Sequence, residues 1–248
     1  MYKRQILGMV VLVFLYCPVL AVRERNVGLR KSKFAFRQSV IQTFRNRPFR
    51  YYIGGYILFW FAFTLLTMGI PYIVTELMGL GKGDVGLIVT PSLLVVILSF
   101  PLIQRIASQK GKKFTVILSL SLLCAAFFLI PSIGHWPFGI SRALQGQILM
   151  ALAGIPIATL FALPNAMIAD LVDYDEKLTG SRREAMYFGM QGLMLKFAIA
   201  LSAFFFGFLL KTFGYSSAEP LGILLLGPVA GISVLVGLLI FSRYPITT

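Results

Sequence analysis

Met186-Tyr-Phe-Gly-Met-Gln-Gly-Leu-Met-Leu-Lys196-Phe-Ala-Ile-Ala-Leu-Ser-Ala-Phe-Phe-Phe-Gly-Phe-Leu-Leu-Lys211 decides the fold. Between its ends a single charge, Lys196, stands among side chains that are otherwise apolar, small or uncharged. About 20 such residues cross a hydrocarbon core of about 30 Å. Six further stretches pass the same test, roughly 6–22, 52–79, 84–106, 114–134, 142–168 and 220–242. With 58% hydrophobic and 13% charged residues, a chain of 248 residues has too little charge to cover a soluble domain. Two Cys and one His exclude a disulfide framework and a Cys/His zinc site. The expected fold is an all-α membrane protein with seven crossings.

The formal net charge of +14 raises the possibility of nucleic acid, and its placement answers it. Seventeen of the 23 Lys and Arg fall in alternate connections: nine in residues 23–50, four around 105–113, three in 170–185, and Arg243. That alternation is the positive-inside pattern of membrane proteins. Membrane lipids, not nucleic acid, are the expected partners of the basic loops. The C-terminus is expected in the cytoplasm, and a bacterial inner membrane is the expected location.

The spacing of the spans suggests a truncated assembly. One span (6–22), a basic connection (23–50) and six spans with short loops (51–242) read as the last helix of one bundle, a linker and a complete second bundle. A cytoplasmic tail, 243–248, follows. Residues 1–5, Met-Tyr-Lys-Arg-Gln, have no assignable role and are expected to be a non-native leader. Within the linker, Phe34, Phe36, Val40, Ile41 and Phe44 recur at helical spacing, which predicts a short amphipathic helix in the interface. Asn46-Arg47-Pro48-Phe49 then begins a span, proline suiting a first helical turn. Gly146, Gly154, Pro156 and Pro164 predict a broken or bent helix over 142–168.

Lys196 is the one ionisable residue deep in a span, about 15 Å from its start. An ammonium at that depth costs about 2.5–3.5 kcal/mol on the insertion scale. Its helix face holds Ala185, Gly189, Gly192, Ala200 and Ala203, so it should look toward protein or a wet cavity rather than lipid. Structural packing of a small-residue stripe is the alternative. All nine acids lie in connections or at span ends, so the expected counter-charge belongs to helices outside this chain.

Five of those acids sit in the run Asp170-Leu-Val-Asp173-Tyr174-Asp175-Glu176-Lys-Leu-Thr179-Gly180-Ser-Arg182-Arg183-Glu184. This stretch reads as a cytoplasmic loop whose acids pair with Arg182 and Arg183 or with a neighbouring basic loop, forming a closure. The turn at Thr179-Gly180 supports it, and a solvated charged loop is the alternative. Arg105, Lys110, Gly111, Lys112 and Lys113 form a tight basic turn whose lysines are expected to anchor to lipid phosphates.

Together, Asn46-Arg47-Pro48-Phe49, the turn at 105–113 and the Asp170–Glu184 run resemble the C-terminal half of the glycoside–pentoside–hexuronide:cation symporters. These form the melibiose-permease branch of the major facilitator superfamily. The likeness runs from about 23 to 242. It implies two six-helix bundles around a substrate cavity, alternating access and cation-coupled uptake of a sugar or glycoside. It also implies that Lys196, with Gln191 and Tyr187, lies near the cation and substrate sites. On an ideal helix, Gln191 is about 140° from Lys196. The coupling ion, Na⁺ or H⁺, would be bound mainly by the missing N-terminal bundle, which is the expected partner. No metal and no other cofactor is expected.

The spans are rich in Phe and poor in Asn, Gln and Trp, which raises a lysophospholipid carrier of the same branch as an alternative. A lipid-modifying membrane enzyme is the remote alternative. It needs a base or nucleophile in a cleft, and the lone His135 has no acid near it in the sequence.

Overall fold

In a bilayer core no water satisfies backbone groups, so each apolar run must close its own hydrogen bonds as a helix. The computed structural model describes residues 2–21, 36–137, 139–216 and 218–246, and follows that rule. Among the described residues eight α-helices form: α1 (Tyr2–Ala21), α2 (Phe36–Arg45), α3 (Arg47–Tyr72), α4 (Val85–Lys110), α5 (Lys112–Phe128), α6 (Arg142–Thr179), α7 (Glu184–Phe213) and α8 (Leu221–Ser242). Six of them, α3 to α8, are long and apolar enough to cross a membrane. Among the described residues the β-structure is one isolated bridge, Ser216 to Glu219.

The chain divides into two compact units, Met1–Lys33 and Phe34–Thr248. The first contains α1, whose apolar part, Gln5–Cys17, is shorter than the six spans. Of the expected linker, residues 23–35 lie outside the described residues, as do Met1, Val22 at the end of the first expected span and the last two residues of the tail. The amphipathic helix forms as α2, and its Phe34 also lies outside the described residues.

In the second unit α3 packs on α8 and α7, α4 on α6, and α5 on both α6 and α8. Glycines set two of these crossings. A Cβ on Gly154 of α6 would stand 2.9 Å from the Ser92 carbonyl and 2.8 Å from Val95 Cβ on α4. A Cβ on Gly227 of α8 would stand 2.7 Å from the Phe127 carbonyl at the end of α5. Backbone approach this close is available only where no side chain intervenes.

Two expectations are corrected. Of the broken or bent helix expected over 142–168, the break does not occur: α6 runs as one helix through Pro156 and Pro164, both buried. It also does not end with the apolar run. Asp170, Asp173, Tyr174, Asp175, Glu176 and Thr179, expected in a loop, are the last helical turns of α6. Leu171, Val172 and Asp175 on these turns are buried, so packing carries the helix past the hydrophobic limit. Gly180, at φ +66°, stops it in the left-handed conformation.

Coverage is uneven. In α4 and α7 only 22% of the apolar window is buried, against 39–50% in the other four spans. These two helices therefore keep broad faces that the bundle itself does not cover. A Gly154→Leu variant is expected to lose about 1–3 kcal/mol through overpacking at the α4–α6 crossing. Gly189→Ala, where a Cβ meets nothing within 4 Å, should cost nothing. Thermal unfolding of both variants in detergent micelles checks the contrast.

Candidate functional site

The uncovered face of α7 is the small-residue stripe. Ala185, Gly189, Gly192, Lys196, Ala200, Ala203 and Gly207 are all exposed. A Cβ built on Gly189, Gly192 or Gly207 meets no atom within 4 Å. Lys196 stands twelve residues from Glu184, about 18 Å along a 30-residue helix, and so near mid-membrane. No carboxylate among the described residues pairs with it. Phe188, Leu193, Phe197, Phe204 and Phe208 flank the stripe and are exposed as well. One cation thus projects from an otherwise apolar, shallow surface.

Gln191 and Tyr187 take the other side of α7 and are buried against α3. Gln191 donates from Nε2 to the Tyr52 hydroxyl at 3.0 Å, and Tyr52 donates to the Pro164 carbonyl of α6 at 3.2 Å. The Tyr187 hydroxyl accepts from Asn46 Nδ2 at 2.7 Å, with its ring edge-on to Phe49 at 5.2 Å. The geometry does not bring either residue together with Lys196: they tie three helices to one another. Tyr52 also begins a file of aromatics along α3. Tyr52 stacks on Tyr56 at 5.7 Å, Tyr56 meets Trp60 at 6.1 Å, and Trp60 meets Phe161 of α6 at 5.7 Å. Tyr56 and Trp60 are half-buried and Phe161 is exposed, so the file opens onto the surface.

The second constellation lies at the basic end. Arg183 makes a bidentate pair with Asp175, Nε to Oδ2 at 2.9 Å and Nη2 to Oδ1 at 2.5 Å, both side chains almost wholly buried. Its Nη1 also donates to the Ser39 carbonyl of α2 at 3.4 Å. Thr179 Oγ1 donates to the Asp175 carbonyl at 2.9 Å, fastening the last turn. Arg182 serves Asp173, Glu176 and Glu184 at 3.1–3.4 Å, but this cluster is exposed. Exposed pairs contribute about 0–1 kcal/mol, whereas removing one partner of a buried pair costs about 3–5 kcal/mol. Tyr174 is exposed and outside the network.

At the basic turn, Gly111 at φ +84° joins α4 to α5. Lys112 reaches Asp170 at 2.6 Å, so that the two basic-end connections are bonded to each other. Lys110 lies over the Phe114 ring at 5.2 Å, and Arg105 is exposed with its carbonyl accepting from Ser108. The Tyr244 hydroxyl is buried and has no hydrogen-bond partner among the described residues, and burial together with the charge of Asp170 pushes its pKa up.

Three participants were not singled out from the sequence: Ser39, Tyr52 and the second role of Asn46. Asn46 was read only as the start of a span; its Oδ1 caps that helix by accepting from the Phe49 amide at 3.5 Å. Its bond to Tyr187 spans 141 positions and carries no local signal. Among the described residues no cluster of His, Cys, Asp and Glu could hold a metal ion. His135 is exposed at the end opposite the basic network.

Residues 5–248 match the profile of a family described as MFS/sugar transport protein. The chain is 29% identical to an uncharacterized symporter of Synechocystis sp., over 83% of this chain and 39% of that protein. It is 26% identical to sodium-dependent lysophosphatidylcholine symporter 1 of Xenopus tropicalis, over 96% of this chain and 47% of that protein. With the corresponding symporter 1-A of Danio rerio it shares 25% identity, over 95% of this chain and 46% of that protein. The chain spans less than half the length of these curated relatives.

Arg183→Leu is expected to lower stability by about 3–5 kcal/mol, because it leaves Asp175 buried and unpaired. The double variant Arg183→Leu/Asp175→Leu should recover much of that loss, and Arg182→Ala should stay within about 0.5 kcal/mol of the parent. Tyr244→Phe, which deletes an unpartnered hydroxyl, should be neutral or stabilising. Unfolding midpoints in one detergent rank all four; equal losses for Arg182 and Arg183 would contradict the burial argument.

Proposed function

The chain belongs to the MFS/sugar transport protein family, and from that premise we propose that it acts as one six-helix bundle of a cation-coupled symporter. The observation that carries this reading is Lys196: a mid-membrane ammonium exposed on a groove-like face of Gly and Ala. A cation in that position is stable only against water or an anion. A second, N-terminal bundle facing α7 supplies both, a wet cavity between the bundles and the carboxylates that bind the coupling Na⁺ or H⁺. The coverage of less than half of each relative supports the same arrangement. The melibiose-permease branch is the one the Asp170–Glu184 run resembles. The basic end then lies in the cytoplasm, in a bacterial inner membrane, and Asp175–Arg183 with its neighbours braces that end while the bundles rock.

For substrate, an amphiphile of the lysophospholipid class fits the surface better than a free sugar. Around Lys196 the exposed side chains are Phe, Leu, Gly and Ala, and the Gln191 amide is spent on Tyr52. A cavity of about 60 Å³ between α3, α5 and α6, lined by Phe63, Leu66, Ile70, Leu123, Phe127 and Met150, is almost wholly apolar. Lys196 would meet the anionic headgroup, and the phenylalanines the chain. Two relatives are named sodium-dependent lysophosphatidylcholine symporters, in keeping with this. A glycoside is the second reading, favoured by the Tyr52–Tyr56–Trp60 file, whose rings suit the apolar faces of a sugar. Chemistry is assigned to no residue: the role is transport, not catalysis.

Uptake of labelled lysophosphatidylcholine and of labelled melibiose, each with and without a sodium gradient, tests the two-bundle protein. Sodium-dependent lysolipid uptake is expected, and Lys196→Ala should abolish it while membrane insertion stays unchanged. Uptake of melibiose alone would move the assignment to the glycoside. Full uptake by Lys196→Ala would remove the lysine from the mechanism.

A further inference from the structure

The basic turn does not use its lysines alike. Lys112 is committed to Asp170, half-buried and 2.6 Å from the carboxylate. Lys110 and Lys113, on either side of it, form no ion pair among the described residues. Because Gly111 reverses the chain, the end of α4 and the start of α5 frame one open groove of about 530 Å³. Ser108, Gln109, Lys110 and Lys113 form its rim, and Phe114 and Ile117 of α5 form an apolar wall beneath. The Lys110 ammonium is held 5.2 Å from the Phe114 ring centroid, at the junction of rim and wall.

The position matches the chemistry. The groove sits where two membrane-spanning helices end, which is headgroup depth. Two uncompensated ammonium groups on one rim repel each other and are relieved by an anion between them. A small soluble anion would satisfy those charges but would leave Phe114 and Ile117 facing water.

We infer that this groove is a binding site for the headgroup of an anionic membrane lipid, with its phosphate between Lys110 and Lys113. The amide of Gln109 supplies a further donor at the rim. The first carbons of the acyl chains lie along Phe114 and Ile117. Lys112 takes no part in the site; it fastens the turn to α6 and so holds the rim open. The site is independent of the transported substrate.

Native mass spectrometry of the purified chain, titrated with phosphatidylglycerol or phosphatidylcholine, reads the site directly. Phosphatidylglycerol adducts should dominate in the parent chain. Lys110→Gln/Lys113→Gln should weaken phosphatidylglycerol binding about thirtyfold, from two lysines near an anionic group. Lys110→Arg/Lys113→Arg keeps the charge and should keep the preference, which separates loss of the site from loss of the fold. Inorganic phosphate should not displace the lipid. The assignment is overturned if the Gln pair binds phosphatidylglycerol as the parent does. It is also overturned if inorganic phosphate clears the adducts, or if Lys177→Gln, an exposed change away from the groove, costs as much as the Gln pair.

Discussion

A charged ammonium halfway across a bilayer is the constraint on which this molecule turns. Among the described residues of the six-helix bundle no carboxylate pairs with Lys196, and its side chain is exposed. Left against acyl chains it would cost about 2.5–3.5 kcal/mol on the insertion scale, a large fraction of a typical folding free energy. The sequence around it lowers that cost by design of the face rather than by pairing. Glycine and alanine at 185, 189, 192, 200 and 203 leave room for water or a partner helix to approach the ammonium. The opposite side of α7 is conventional core, with Tyr187, Gln191, Ala198 and Ser202 packed inward. A helix divided in this way has one half made for its own bundle and one half made for something outside it.

The rigid counterpart of that open face is the basic end. Here α6 continues as helix beyond its apolar run, and the buried Arg183–Asp175 pair joins its last turns to the start of α7. Arg183 extends the joint to α2 through the Ser39 carbonyl, and Asn46 extends it to α3 by capping that helix and donating to Tyr187. Four helices are thereby registered by two polar side chains. Lys112–Asp170 adds α5 to the same frame. An assembly that must rock without distorting needs such a fixed end, and the polar groups are arranged to leave few donors unsatisfied.

How much of this the amino-acid order disclosed differs from residue to residue. The spans, the helix start at Asn46-Arg47-Pro48-Phe49, the turn at Gly111 and the small-residue face of Lys196 were all readable, because each depends on local composition or helical periodicity. The helical end of α6 was not. Hydropathy marks where a chain leaves lipid, not where a helix stops; the guide would have been Leu171, Val172 and Asp175 at helical spacing, closed by Gly180. The pairing of the acids with Arg182, Arg183 and Lys112 was anticipated as one option among several. Which pair is buried was not, since burial depends on α2 packing over Arg183. Likewise Gln191 and Tyr52, 139 positions apart, meet only because α7 is rotated to place its small stripe outward.

The central claim is that Lys196 looks into water shared with a second bundle. Replacing it by cysteine in the two-bundle protein and labelling with membrane-impermeant and membrane-permeant maleimides measures that environment directly. The account predicts reaction with the impermeant reagent from at least one side of the membrane, slowed by substrate. Labelling by the permeant reagent alone would put position 196 against lipid and contradict it.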